Sequence, residues 1–327
     1  MENTTRLLLR HEALLRDRGV LIVDADDAAL SGIQAASLVI HSDDCSLAGV
    51  QSSLSPALPA GVNLAIVILP KSRERLRFLL AALAGQITED RGQLLEVWLV
   101  GAASGGVKGG ASVLEAMTGG PVQLLDSARH CKLYRAMLPP KSFSLADHQQ
   151  LWGHDGLEMT SYPGVFSHGR LDEGTELLLS ALAVQPLSGR GLDMGCGAGV
   201  ISATLARRGL EVMAVDVSAA AVAATTTTLQ RNNLSATVLG GDLYAPVSGR
   251  FDVIVTNPPF HDGMQRTTAI SQQLIQQAPS YLRSGGQLFL VANQGLPYEA
   301  WLRQAFGRVD VLAENRRFKV WHGRVRY

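Results

Sequence analysis

Leu192-Asp193-Met194-Gly195-Cys196-Gly197-Ala198-Gly199 is the stretch whose reading decides the fold. It closes a short strand-like run at 190–193 and leads into a helix-like segment at 200–208. Three alternating glycines let a backbone turn sharply and approach a bound group without Cβ interference. The helix that follows directs unpaired N–H groups at whatever the loop holds. The spacing is G-x-G-x-G with an acid two residues ahead, which departs from the G-x-G-x-x-G of dinucleotide sites. Beyond the loop, 211–215 is β-rich and ends at Asp216, 219–230 looks helical, and 236–239 is a strand ending near Asp242. A Val/Ile run at 251–256 stops at Asn257-Pro258-Pro259-Phe260. A helix at 269–282, a turn at Ser284-Gly285-Gly286 and a strand at 287–291 follow, and runs at 309–312 and 318–325 supply an added antiparallel edge. Such alternation predicts an α/β, doubly wound, mainly parallel sheet.

The strand ends carry the candidate site. Asp216 is placed to accept hydrogen bonds from both hydroxyls of a ribose. Asp242, after the third strand, is placed to meet an adenine amino group. Val217 and Leu243, their neighbours, join Asp193, Gly195, Cys196, Gly197, Gly199 and Asn257 in the expected cofactor-binding set. Cys196, flanked by glycines, reads as a small loop residue rather than a nucleophile.

Asn257-Pro258-Pro259-Phe260 sits at the carboxyl edge of the sheet, where ligands of open α/β folds bind. An amino group on an aromatic ring is a poor nucleophile because its lone pair is delocalised. The Asn257 amide oxygen and the Pro258 carbonyl offer two acceptors for its two N–H groups, which helps localise that lone pair. Proline restricts the backbone of itself and of the residue before it, so the carbonyl is held in place beforehand. Phe260 is expected to stack on an unstacked base, an interaction worth ~1–3 kcal/mol. Asn257, Pro258 and Phe260 are therefore the expected catalytic residues. His261 and Asp262 either touch the ring or are ordinary turn residues. A planar side-chain amide of a protein glutamine also suits the tetrapeptide.

Composition bounds the rest. The chain has 327 residues, 46% hydrophobic and 18% charged, with a formal net charge of zero. That length suggests about two domains of roughly 150 residues. No apolar run reaches the ~18–20 residues that cross a bilayer, and Met1-Glu2-Asn3-Thr4-Thr5 does not begin a signal peptide, so a cytoplasmic protein without membrane partners is expected. Three separated cysteines without C-x-x-C spacing point away from a disulfide framework or a cysteine zinc site, and no metal is expected. Neutral charge weighs against a dedicated nucleic-acid binder. Two basic clusters, Lys71/Arg73/Arg75/Arg77 and Arg316/Arg317/Lys319/Arg324/Arg326, read either as solvated faces or as phosphate contacts.

Pro139-Pro140-Lys141-Ser142, a polar stretch and then Gly153 and Gly156 mark a linker around 139–156. It divides the chain into domains 1–150 and 151–327. The first half repeats the pattern more weakly, with strand-length runs at 20–24, 37–41, 64–69 and 97–100. Its 65–70 run and the later 94–101 run parallel the 252–258 and 287–293 runs. The turn Asp24-Ala25-Asp26-Asp27-Ala28 has no glycine. A duplicated fold whose first copy lacks a cofactor loop explains both facts.

Through 193–199, Asp216 and 257–260, the second half resembles the class I S-adenosylmethionine-dependent methyltransferases that methylate nitrogen. More narrowly, the chain resembles the bacterial 16S ribosomal RNA guanine-N2 methyltransferases. That likeness rests on Pro163-Gly164-Val165-Phe166-Ser167, 192–200, 257–265, Asp126-Ser127-Ala128-Arg129 and Arg317-Phe318-Lys319-Val320. The resemblance implies two Rossmann-like methyltransferase domains, the second a seven-stranded sheet with an antiparallel edge strand that alone binds S-adenosylmethionine. It implies transfer to the N2 of one guanine in 16S ribosomal RNA; free RNA or an assembled subunit as substrate, and the oligomeric state, stay open, with a small-subunit particle and a monomer preferred. Large-subunit guanine-N2 methylation and protein-glutamine methylation are the alternatives.

Overall fold

The computed structural model describes residues 1–87, 94–258 and 264–326. The chain forms two compact units, Met1–Gln149 and Gln150–Tyr327. In the first, the elements run α1 (Asn3–Leu9), β1 (Gly19–Val23), β2 (Ser37–Ser42), β3 (Gln51–Ser52), β4 (Leu64–Ile68), α2 (Arg73–Ala84), β5 (Leu95–Ala102), α3 (Val107–Thr118), β6 (Gln123–Ala128) and β7 (Cys131–Leu138). In the second they run β8 (Gln150–His154), β9 (Leu157–Ser161), α4 (Glu173–Ala183), β10 (Arg190–Met194), α5 (Val200–Arg207), β11 (Glu211–Asp216), α6 (Ala219–Arg231), β12 (Thr237–Gly240), β13 (Phe251–Thr256), α7 (Met264–Tyr281), β14 (Leu282–Asn293), α8 (Tyr298–Phe306), β15 (Val309–Glu314) and β16 (Phe318–Arg324). Among the described residues no helix is long and apolar enough to cross a membrane.

The two seven-stranded sheets have the same order, β3-β2-β1-β4-β5-β7-β6 and β12-β11-β10-β13-β14-β16-β15. Parallel strands are buried on both faces and read as continuous apolar runs. Alternation still sorts them. Val20 and Ile22 pack in one cluster, Leu21 and Val23 in another. Leu192, Ile254 and Leu288 line one face of the second sheet, while Val212, Val253 and Phe289 line the other. The last two strands of each sheet pair antiparallel. The expected duplication is thus present as matching topology.

Two local readings need correction. Residues 150–156, expected as linker, begin a hairpin: β8 and β9 pair antiparallel, and Thr160 N–H donates to Thr228 Oγ1 of α6 at 3.0 Å. That tie is to a residue far along the chain, which local composition does not register. The turn at 284–286 lies inside β14. Leu282 pairs with Phe251 and Gln287 with Val253, so the intervening residues bulge out, with Gly285 at φ +73°.

Arg75 also departs from the sequence reading, being neither a solvated nor a phosphate-facing cation. Its side chain is 3% exposed. It donates to Leu54 O at 2.7 Å and Asp24 Oδ1 at 3.2 Å and lies 3.5 Å from Asp43 Oδ1. Asp24 follows β1 and Asp43 follows β2, the strand ends that by sheet order match those bearing Gly195 and Asp216. Burial pushes the Asp24 carboxyl up and Arg75 pulls it back. Deleting one partner of a buried ion cluster typically costs about 3–5 kcal/mol. Arg75→Met is therefore expected to destabilise the first unit by about that amount, read as faster hydrogen exchange at β1 and β4 amides. Unchanged protection would show that the guanidinium does not hold these strand ends together.

Candidate active site

β10 lies between β11 and β13, so three carboxyl ends stand side by side: Met194 is in register with Val215 and with Thr256. The loop leaves this edge at once, Gly195 and Cys196 N–H both donating to Val215 O at 2.8 and 3.1 Å. Gly195, Gly197 and Gly199 adopt φ of +78°, +54° and +82°, a region that residues with a Cβ rarely enter. The glycines serve different ends. A Cβ on Gly199 would lie 3.0 Å from Thr225 Cα, so this glycine lets the loop seat on α6. A Cβ on Gly197 would meet nothing within 4 Å, and one on Gly195 only the Asn257 carbonyl oxygen at 4.0 Å. Thr225 Oγ1 donates to Gly197 O at 3.0 Å and Thr228 Oγ1 to Ala198 O at 2.8 Å, fixing the loop to the helix beneath.

Asp193 is fully buried and accepts from Ser202 Oγ of α5 at 2.5 Å, which ties the loop's entrance to its exit. Its other oxygen, Oδ1, is buried without a partner. Burial pushes this carboxyl up to about 7, against the pull of Ser202. Cys196 is buried 3.2 Å from Thr225 Oγ1, and burial drives its thiol upward, so it stays protonated. Asp216 accepts from Gly197 N–H and Ser218 N–H, both at 2.9 Å. Gly241 N–H donates to Asp216 O at 2.9 Å and brings the next turn alongside. In that turn Asp242 is exposed and Leu243 is left-handed at φ +45°. Val217 is 42% exposed, an apolar side chain left open beside Asp216.

Asn257 follows Thr256, whose Oγ1 donates to Met194 O at 2.8 Å and locks the two strand ends. The Asn257 amide nitrogen donates to Asp172 Oδ2 at 3.1 Å and to Thr175 Oγ1 at 2.8 Å. Its oxygen, Oδ1, is buried with no hydrogen-bond partner among the described residues. Pro258 is buried. Phe260, His261 and Asp262 lie outside the described residues.

Sequence reasoning missed Asp172 and Thr175. Asp172 caps α4, accepting from Thr175 N–H at 3.1 Å, and an Asp followed by Glu173 and Glu176 is a legible helix start. The link to a residue 85 positions later has no local signature. The basic C-terminal cluster is also resolved in part. Arg317 pairs with Glu173 at 2.8 Å and Lys319 with Glu314 at 3.4 Å.

The open faces of Gly195 and Gly197, the anchored Asp216 carboxylate and the orphaned Asn257 oxygen fit an adenosine-bearing sulfonium with an amino group beside it. Known proteins agree. Residues 5–152 match the methyltransferase small domain N-terminal model and residues 156–322 the methyltransferase small domain model. A ribosomal RNA small subunit methyltransferase C of Alcanivorax borkumensis is 50% identical over 98% of both chains. One from Pseudomonas entomophila is 43% identical over 79% of this chain and 77% of its own. Among solved structures, T. thermophilus 16S rRNA N2 G1207 methyltransferase, in complex with AdoMet and guanosine, superposes with a TM-score of 0.80 at 26% identity, covering 99% of this chain and 92% of that one.

Two outcomes test this geometry. Gly197→Val places bulk on the open face at a left-handed φ, and titration calorimetry should show S-adenosylmethionine binding lost; retained affinity would mean the loop is misassigned. Asp193 binds its proton more tightly folded than unfolded, so its contribution to stability is full below about pH 4 and declines as pH rises through about 7. Asp193→Asn should flatten that decline in thermal unfolding of the cofactor-free chain, and an unchanged pH slope would exclude Asp193 as its source.

Proposed function

The chain belongs to the ribosomal RNA small subunit methyltransferase C family, and on that premise we propose how its second unit does the chemistry. The enzyme transfers a methyl group from S-adenosylmethionine to the exocyclic N2 of a guanine in 16S ribosomal RNA. Full-length similarity to small-subunit enzymes favours this target over large-subunit RNA or a protein glutamine.

S-adenosylmethionine, when bound, supplies a methyl already activated by its cationic sulfur. Gly195 and Gly197 leave the space it needs, and Gly199 seats the loop that holds it. Asp193 and Cys196 support that loop from behind. Asp216 would take the ribose hydroxyls, Val217 and Leu243 would flank the adenine, and Asp242 would accept from its amino group. Asn257 Oδ1 and the Pro258 carbonyl then accept the two N–H groups of guanine N2 and aim its lone pair across the strand ends. Phe260, outside the described residues, is proposed from the sequence to stack on the base. The nitrogen would gain the methyl as the sulfur–methyl bond breaks and the donor leaves as a neutral thioether, and it would release one proton to solvent, so no strong base is required. Alignment and preorganised acceptors do the catalysis.

The observation that carries this reading is the orphaned Asn257 oxygen. A buried acceptor without a partner costs about 1–3 kcal/mol, and it belongs to the residue whose backbone carbonyl borders the open face of Gly195. An incoming amino group satisfies it.

The first unit is proposed to lack cofactor binding, because Arg75 fills the strand ends that the glycine loop occupies in the second. The RNA is proposed to be presented within a small-subunit particle, to a monomeric enzyme in the cytoplasm. Net charge supports this: a neutral chain gains little from phosphate neutralisation and benefits from an RNA surface already folded.

Asn257→Ala is expected to lower kcat by about 100-fold or more, the scale seen when one preorganised polar partner is removed, while S-adenosylmethionine affinity stays near wild type. The assay is labelled methyl transfer to small subunits from cells lacking the enzyme, with mass spectrometry locating the methyl on a guanine. Retained turnover would remove the amine acceptor.

A further inference from the structure

We propose that Asp172 and Thr175, at the start of α4, are positioning residues that fix the rotation of the Asn257 amide and so set the acceptor for the substrate amine; this rests on the reading of Asn257 given above. A side-chain amide has two faces of opposite character. With Oδ1 toward the substrate, Asn257 accepts the guanine amino group. Flipped, it would present N–H to N–H and repel it.

The protein settles the choice by donor arithmetic. The Asn257 nitrogen carries two protons, and it has two acceptors, Asp172 Oδ2 at 3.1 Å and Thr175 Oγ1 at 2.8 Å. An ionised carboxylate only accepts, so the flipped amide would set its oxygen against the Asp172 oxygen. Oδ1 is consequently left over, buried and unpartnered. The negative charge on Asp172 also polarises the amide and makes Oδ1 a stronger acceptor, since charge-assisted bonds are roughly twice as strong as neutral ones.

The start of α4 is itself braced. Asp172 Oδ2 caps the helix through Thr175 N–H. A Cβ on Gly174 would lie 3.0 Å from Asp172 Oδ2 and 3.2 Å from the Phe318 ring, a tight fit that glycine avoids where α4 sits against β16. Glu173 pairs with Arg317 at 2.8 Å and accepts from Asn315 Nδ2 at 3.3 Å. Arg317 and Phe318 thereby act on the amide through α4.

Capping and positioning separate by choice of variant. Thr175→Val removes Oγ1 and keeps the shape and the backbone N–H that Asp172 accepts. Thr175→Ser restores a hydroxyl. Asp172→Ser keeps a residue that caps helices well but is too short to reach Asn257. With full-length enzyme and small subunits lacking the methyl group, Thr175→Val and Asp172→Ser are each expected to lower kcat about tenfold or more, the loss of a bond to a preoriented group. S-adenosylmethionine affinity should stay near wild type, the thermal midpoint should fall only by the few degrees that one unpaired buried N–H costs, and Thr175→Ser should recover most of kcat. Wild-type kcat in Thr175→Val, beside an inactive Asn257→Ala, would overturn the proposal and leave the amine acceptor standing. Losses of kcat that track losses of midpoint and cofactor affinity, without rescue by Thr175→Ser, would reduce both residues to structural support and likewise overturn it. An active Asn257→Ala would overturn the underlying reading and this proposal with it.

Discussion

In-register pairing of β10 with β11 on one side and β13 on the other places Gly195, Asp216 and Asn257 at one edge, each just past or at the end of its strand. Parallel strands all point their carboxyl ends the same way, so a site assembled there draws on loops far apart in sequence at no conformational cost beyond the sheet itself. Thr256 reinforces the edge by donating to Met194 O, and the glycine loop hangs from Val215 O. Shifting any of these three strands by one residue would exchange the faces of its side chains and separate the groups.

The two units show what the same sheet order does with different residues at that edge. In the second, positive-φ glycines leave space above the strand ends. In the first, Asp24, Asp43 and Leu54 O close on the Arg75 guanidinium. Both arrangements handle the same problem, since a parallel sheet leaves strand-end polar groups needing partners. One supplies an internal cation, the other is fitted to a ligand.

Rigidity of Asn257, the proposed amine acceptor, follows from packing well removed from it in sequence. β16 antiparallel to β14 brings Phe318 under Gly174, and α4 then carries Asp172 and Thr175 to the Asn257 nitrogen. The antiparallel edge strand, which the sequence reading treated as an addition to the sheet, therefore contributes to the order of the site. The basic residues near the end of the chain divide in the same way, with Arg317 and Lys319 held by carboxylates.

By itself the sequence determined the doubly wound order, the turn of the glycine loop, the acids that follow the second and third strands and the proline-stiffened tetrapeptide. These are legible because they are local: apolar periodicity, φ requirements and strand-end chemistry act within a few residues. Tertiary structure alone decided which face the Asn257 amide presents, that Arg75 is buried, that residues 150–161 form a hairpin on α6, and that Asp193 braces the loop from within. The first three depend on hydrogen bonds or ion pairs between residues 51 to 85 positions apart, and the Asp193–Ser202 bond, though it spans nine residues, forms only once the loop has folded back; such partners are chosen by how the sheet and helices pack.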